Sequence, residues 1–387
     1  MPPVAREFRV AIDVRPLALP EVTGVGLVVT TLVEELLAMG VRFVGVTDRP
    51  VPAGRLPKTV PVVATGTAGG RIRWERGALP RALRSLDPAP DLFHATWNHG
   101  VPPGLPFPSI LTVHDVIPWL LPHLVPWPRP APLHRWLYRR ALRASTRAAT
   151  RITTDSEASR RDLVRILPDT RDTSEVVPIS LPRSFRPHSP EAASEARAEW
   201  NAGRPYWLYL GGFDPRKGIA TLLEAMALAF PDPSRAPDLI LAGGLNAIGL
   251  TLRAEAERLG VRARFPGYVD DRDLPSLFAG AALFLYPSRY EGFGLPLLMA
   301  MASGVPTVAS DAGSVPEVLG DAGLSFPAGD AALLSKVLAR AAALKPEERA
   351  AIGERGRARA AAFSPDAFAE RILRVYDRAL ARRTASS

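Results

Sequence analysis

Glu291-Gly-Phe-Gly-Leu-Pro-Leu-Leu-Met299 is the stretch whose reading decides the fold. An apolar run before it, Ala282-Leu-Phe-Leu-Tyr-Pro-Ser288, reads as a buried strand. Ala300-Met-Ala-Ser-Gly304 after it reads as the small-residue end of a helix stopping near Gly304. A strand, a glycine-bearing loop and a helix opened by Pro296 make a unit suited to phosphate, because unbonded N–H groups and the positive helix end face the loop. A carboxylate at Glu291, just ahead of that end, suits a neutral, hydroxyl-rich group beside the phosphate.

The same unit recurs in both directions along the chain. Phe8-Arg-Val-Ala-Ile-Asp-Val14 reads as a first strand, and Thr23-Gly-Val-Gly26 opens an apolar-periodic helix through Val29, Leu32, Val33, Leu36 and Leu37 to Gly40. Arg42–Thr47, Val60–Ala64, Leu92–Thr96, Ser109–His114, Arg151–Asp155 and Ser174–Ile179 read as further strands, with helices over Leu133–Thr150 and Glu157–Leu167. Pro182–Pro205, which holds Pro187, Pro190 and a short helical patch at Glu191–Trp200, reads as the linker. The alternation then restarts with strands at Tyr206–Leu210, Leu239–Ala242, Ala263–Phe265, Ala282–Tyr286 and Pro306–Ser310, and helices dominate from Asp330 on. The last helix, Pro365–Arg382, carries Phe368, Ile372, Val375, Tyr376 and Ala379 at helical spacing. The pattern predicts an α/β protein of two doubly wound halves in series with a cleft between them, and function at the carboxyl ends of parallel strands.

Composition narrows the chemistry. The 387 residues are 47% hydrophobic and 22% charged, as in soluble domains, and no apolar run approaches the ~18 residues of a membrane span. The first residues lack a signal-peptide layout, so a cytoplasmic location is the expectation. With no cysteine, disulfides, thiolate metal sites and cysteine nucleophiles are excluded. The net charge is +9, and Lys58, Lys217, Lys336 and Lys345 are the only lysines among 48 basic residues. No aromatic-rich RNA-binding signature accompanies that charge, so nucleic acid is not an expected partner. No His and carboxylate group has metal-ligand spacing, so neither a metal nor another cofactor is expected.

Thr23-Gly-Val-Gly26, Thr112-Val-His-Asp115, Asp155-Ser-Glu-Ala-Ser159, Val176-Val-Pro178, Gly211-Gly-Phe-Asp-Pro-Arg-Lys-Gly218, Phe265-Pro-Gly-Tyr268, Glu291–Pro296, Ala300–Pro306 and Pro316-Glu-Val318 occur in that order. The ordered set resembles retaining glycosyltransferases of family 4, most of all the bacterial mannosyl- and rhamnosyltransferase-like branch that builds surface polysaccharides. The resemblance implies the GT-B fold, two Rossmann-like domains facing a central cleft, and a nucleotide-sugar donor with GDP-mannose first. It implies an acceptor-side domain at 1–185, a donor domain at 186–364 and a C-terminal helix at 365–387 packing back toward the first domain. The acceptor it implies is a glycan or a lipid-linked sugar, at the inner membrane face in similar proteins.

Within that frame each residue has a physical reading. Arg216 and Lys217 follow the first strand of the second half, where two cations would neutralise a diphosphate; a solvated helix start is the plainer reading, at odds with the helix dipole. Glu291 is expected to bind sugar hydroxyls, or more plainly to cap its helix. His114 is expected beside the donor sugar, with Asp115, His94 and Asn98 on the acceptor side; His99 is a further candidate there. Gly24 and Gly26 would let a phosphate or sugar approach the backbone, unless they form an ordinary turn. Gly212, Gly267, Tyr268, Gly292, Phe293, Gly294 and Leu295 complete the expected donor site. Met299 departs from the pattern, because the family has a second glutamate there for the ribose. A thioether is a weak acceptor, and the plainer reading is that Met299 is simply core; on either reading donor affinity is expected to be weakened. A catalytically weakened donor-binding protein and a sugar-nucleotide epimerase are therefore the alternatives. Arg135, Arg139, Arg143, Arg147 and Arg151 recur every fourth residue near Trp119, Trp127 and Trp136. Like charges at that spacing repel, so the stripe is read either as a contact for an anionic membrane or as a solvated face.

Overall fold

The computed structural model describes residues 8–66, 70–186 and 188–384. Seven strands form one parallel sheet: β1 (Arg9–Asp13), β2 (Arg42–Thr47), β3 (Val62–Ala64), β4 (Leu92–Ala95), β5 (Ser109–Val113), β6 (Arg151–Thr154) and β7 (Ser174–Val176). Their order is β3-β2-β1-β4-β5-β6-β7. Six more form a second parallel sheet: β8 (Tyr206–Leu210), β9 (Asp238–Ala242), β10 (Ala263–Gly267), β11 (Ala281–Tyr286), β12 (Thr307–Ser310) and β13 (Leu324–Phe326), in the order β10-β9-β8-β11-β12-β13. Each sheet starts at an inner strand, runs to one edge and then returns past its start to the other. That reversal is the Rossmann-like signature, and it sits at β1/β4 in one sheet and β8/β11 in the other.

The near-continuous apolar strands are explained by burial on both faces, as parallel sheets require. Val10, Ile12, Phe93, Leu111 and Ile152 are buried in the first sheet, and Leu208, Leu239, Leu283 and Val308 in the second. The chain divides into two compact units. The first comprises the described residues up to 120, residues 127–182 and those from 363 on; the second comprises 121–126 and 183–362. The C-terminal helix Pro365–Thr384 packs on the helix Gly24–Ala38, with Phe368, Ile372 and Tyr376 buried beneath it.

Three local readings gain detail. The helical patch expected at Glu191–Trp200 is the helix Pro190–Asn201, capped by Ser189 and packed on the helix Leu274–Ala279 of the second unit. Trp200 Nε1 there donates to Ser276 Oγ at 3.2 Å. Gly24 and Gly26 lie in the first turn of the helix that Thr23-Gly-Val-Gly26 is expected to open, because Thr23 Oγ1 accepts the Gly26 N–H and caps the turn. Leu324–Phe326, not read as a strand, pairs with β12.

Candidate active site

The carboxyl edge of the second sheet gathers the donor-side motifs. Beyond β8 the chain turns through Gly212 into a short 3-10 turn, Pro215–Lys217, which Asp214 caps by accepting the Arg216 N–H at 3.1 Å. Beyond the neighbouring strand β11 comes the loop with Glu291, then the helix Leu295–Ala302. Gly267 ends β10, two strands from β8, and Tyr268 follows it. Arg216 and Lys217 therefore face Glu291 across adjacent strand ends.

Glu291 is buried, and three side chains bond its carboxylate. Arg216 Nη1 donates to Oε2 at 2.6 Å, Lys217 Nζ to Oε1 at 2.7 Å and Ser288 Oγ to Oε1 at 2.6 Å. Burial opposes its ionisation, but Lys217, Arg216 and the bonds from Lys217 and Ser288 outweigh burial and hold its pKa at about 2. Three of the roughly four lone-pair positions on a carboxylate are engaged by these bonds. Lys217 spends one of its three N–H groups on this bond. The Glu291 loop is locked from behind. Ser314 Oγ donates to the carbonyls of Glu291 and Phe293, and Ser310 Oγ donates to that of Ser288. Gly218 has φ +68°, and a Cβ there would lie 2.0 Å from the Pro287 carbonyl oxygen, so only glycine lets the two loops touch.

Phe293 and Leu295 have buried side chains, so only their backbone can face a ligand; Gly292 is half-buried and Gly294 opens the helix at φ +105°. Met299 is 4% exposed, part of a helix whose Leu295, Leu297, Leu298, Ala300 and Met301 are also buried. The position expected to hold a ribose is therefore core.

The first unit departs further from expectation. His94 is fully buried on the central strand β4, bonded through Nδ1 to Tyr376 Oη (2.7 Å) and through Nε2 to Thr112 Oγ1 (2.8 Å). Burial first, and then the nearby His114 charge, lower its pKa to about 3, so it is a neutral core histidine and not an acceptor ligand. His114 is bonded at both nitrogens, to Asp155 Oδ2 (2.8 Å) and to the Thr96 carbonyl (2.9 Å). Both partners are pure acceptors, so the ring needs two N–H groups and is an imidazolium. Burial opposes that charge; Asp155, the Thr96 carbonyl and Asp115 overcome it, and the pKa rises to about 9. No ring nitrogen is left for a sugar hydroxyl, which corrects the role expected of His114. Asn98 Oδ1 accepts the His114 N–H, and Asp115 Oδ1 accepts the Ile117 N–H, so both tie down loops. Gly26 packs against Pro16 and Val22, and Gly24 is exposed.

A second cluster escaped the sequence reading. Arg15, just past β1, pairs with Asp13 at 2.6 Å and with Glu75 at 2.8 Å, and lies 4.4 Å over Trp74. Glu75 also meets His99 at 2.9 Å and Arg71 at 3.3 Å. Burial opposes Glu75 ionisation, but His99, Arg15 and Arg71 hold its pKa far below the usual range. The one cue was Asp13-Val-Arg15 at a strand end; Glu75 lies 60 residues from Arg15 and carries no local signal. Among the described residues no group of three or more His, Asp or Glu is arranged to hold a metal.

Two family descriptions match in sequence. "Glycosyltransferase Family 4" matches residues 22–180, and "Glycosyl transferases group 1" matches 191–359. The chain belongs to the family 4 glycosyltransferases. Among curated relatives of this family 4 chain, the O-antigen chain mannosyltransferase B of Escherichia coli is 38% identical over 164 residues, 41% of this chain and 43% of the relative. A phosphatidyl-myo-inositol mannosyltransferase of Mycobacterium tuberculosis is 40% identical over 109 residues, 27% of each chain. The chain thus spans less than half the length of these relatives. Among solved structures, Anabaena HepE, crystallised with UDP and glucose, superposes with a TM-score of 0.77 at 18% identity, over 96% of this chain and 100% of that one. Sucrose-phosphate synthase of Thermosynechococcus elongatus gives 0.76 at 23% identity, over 98% and 100%. At those identities they show the fold alone, and the fold is GT-B.

The arginine stripe of this family member lies on the helix Ala131–Ala148. Arg139 and Arg143 stand 5.2 and 4.9 Å over Trp119, and Arg140 stands 5.4 Å over Trp136. Aromatic faces within the chain thus offset part of the expected repulsion. No helix among the described residues is long and apolar enough to cross a membrane.

Proposed function

We propose that the chain moves a hexose from a nucleotide-diphosphate sugar to a hydroxyl of a glycan or lipid-linked acceptor, with retention and without a metal, in surface polysaccharide or glycoconjugate synthesis. The observation that carries the reading is the Arg216–Glu291–Lys217 cluster on the carboxyl edge of the second sheet. It is a preorganised pair of cations next to a glycine loop, and preorganised charge is what a departing diphosphate needs. Lys217 and Arg216 face the diphosphate, and Glu291 takes one sugar hydroxyl. The acceptor hydroxyl attacks from the face the diphosphate leaves, and the diphosphate takes its proton. Mannose, and GDP-mannose as its donor, is favoured because the relatives named above are mannosyltransferases.

Calorimetry with GDP-mannose, UDP-glucose, UDP-galactose and dTDP-rhamnose, followed by turnover with the tightest donor, tests this reading. Lys217→Ala and Glu291→Ala are expected to cut transfer by about 10²–10³ while circular dichroism stays unchanged. Full activity in either variant overturns the assignment. A second reading, a donor-binding protein without transfer, draws on the buried Met299, and tight binding with no turnover would select it. The activity is proposed to run in the cytoplasm beside an anionic membrane, since Leu133 and Trp136 are 48% and 55% exposed on the arginine-bearing helix. Co-sedimentation with phosphatidylglycerol vesicles but not with phosphatidylcholine vesicles is the expected result.

A further inference from the structure

We infer that Tyr286 is a positioning residue whose hydroxyl stands in reserve for Glu291: when a diphosphate draws Lys217 away, the hydroxyl donates to the carboxylate in its place. The inference rests on the transfer reading and names how its cation pair is released. Tyr286 is the last residue of β11 and is buried. Its ring stacks on that of Phe284, with centroids 5.9 Å apart and planes 24° apart. A Cβ built on Gly294, the residue that opens the helix Leu295–Ala302, would lie 3.3 Å from the ring Cε1 and 3.7 Å from the hydroxyl. Lys217 Nζ stands 5.9 Å from the ring centroid, within cation–π range. One side chain thus adjoins both the ammonium and the start of the helix.

The hydroxyl is the unsettled group in this packing. It is enclosed, and among the described residues it makes no hydrogen bond of standard geometry. The neighbouring Tyr209 differs, since its hydroxyl donates to the Gly212 carbonyl at 2.8 Å. Burial, and after it the Glu291 charge, push the Tyr286 hydroxyl well above its usual range, so it keeps its proton and meets the carboxylate as a donor. In the free chain Lys217 Nζ and Ser288 Oγ already bond Oε1, at 2.7 and 2.6 Å. A diphosphate competes with Glu291 for the ammonium, because two anions beside one cation repel each other. Each shift of the ammonium toward phosphate strips a charged bond from a buried carboxylate, which is unfavourable unless another donor replaces it. Arg216 is poorly placed for that, because its Nη1 already bonds Oε2 and the Tyr290 carbonyl. The Tyr286 O–H is the donor at hand, and gaining the carboxylate also settles a hydroxyl that burial leaves misaligned.

Two measurements test the exchange. The first needs no ligand: urea denaturation of Tyr286→Phe in the unaltered chain and in Lys217→Met, where the ammonium is gone for good. Tyr286→Phe is expected to change the folding constant by less than about threefold in the unaltered chain. In Lys217→Met it is expected to lower that constant by about tenfold or more, since a bond to a charged group is then lost. An equal effect in the two backgrounds overturns the exchange and leaves the hydroxyl a packing group alone. The second measurement is calorimetry with GDP, UDP and dTDP. Tyr286→Phe is expected to bind the diphosphate that the unaltered chain prefers about tenfold more weakly. Equal affinity in the two proteins overturns the exchange and leaves the transfer reading standing. No binding of any of the three by the unaltered chain defeats the transfer reading, and the denaturation cycle then decides by itself whether Lys217 and Tyr286 exchange on Glu291.

Discussion

Ionised Glu291 holds Arg216 and Lys217 at 2.6 and 2.7 Å, so its loss leaves the two cations with Asp214, 3.6 Å from Arg216, as counter-charge. Glu291→Gln is expected to lower stability at pH 7 by about 3–5 kcal/mol, as read by urea denaturation. The folded pKa is depressed from 4.5 to about 2, so the wild-type contribution is complete above pH 4.5 and is lost as the pH falls through 2. The gap between the two proteins should therefore close from pH 4.5 downward; a gap constant to pH 2 contradicts the pairing. His114 runs the other way. Its pKa is raised from 6.5 to about 9, so its contribution is complete below pH 6.5 and is lost as the pH rises through 9. Asp155→Asn should flatten stability between those limits. Residue types and positions were legible in the sequence for Arg216, Lys217 and Glu291. For His94 and His114 they misled, because a histidine at a strand end looks alike whether it meets solvent or a Thr112 hydroxyl.

At the scale of elements, two loops meet only because Gly218 lacks a Cβ. Gly218→Ala would drive a methyl into the Pro287 carbonyl at a φ of +68°, and it should cost more than about 1–2 kcal/mol and weaken nucleotide-sugar binding in calorimetry. Met299 sits on a helix buried nearly all round, so Met299→Glu should not recover a ribose contact. Burying that carboxylate should instead destabilise the chain by several kcal/mol, of order 3–5, as measured by thermal unfolding; tighter donor binding in a stable variant would contradict this. The hydrophobic period announced most helices and strands. It missed Leu324–Phe326, which is three residues long and owes its strand form to pairing with β12. It undersold Pro190–Asn201, whose weak apolar face is fixed by packing on Leu274–Ala279.

For the molecule as a whole, the C-terminal helix ties the end of the chain to the first sheet. Tyr376 and His94 are 282 residues apart and bonded at 2.7 Å. Tyr376→Phe leaves the His94 Nδ1 without its partner and is expected to cost the first unit about 1–3 kcal/mol. Hydrogen exchange should show it as faster amide exchange in β4 and β5 with β8–β13 unchanged; a uniform change across both sheets would contradict two separate units.

The sequence by itself determined the two runs of alternating strands and helices, the family, and the residues Arg216, Lys217 and Glu291 as one candidate group, because these depend on local period and on motifs contiguous in the chain. Only the tertiary structure decided what each polar group touches. It spent both nitrogens of His114, drew His94 and Met299 into the core and joined Arg15 to Glu75. Hydrogen bonds and ion pairs form between side chains that folding brings together, and no spacing along the chain records which partners those will be.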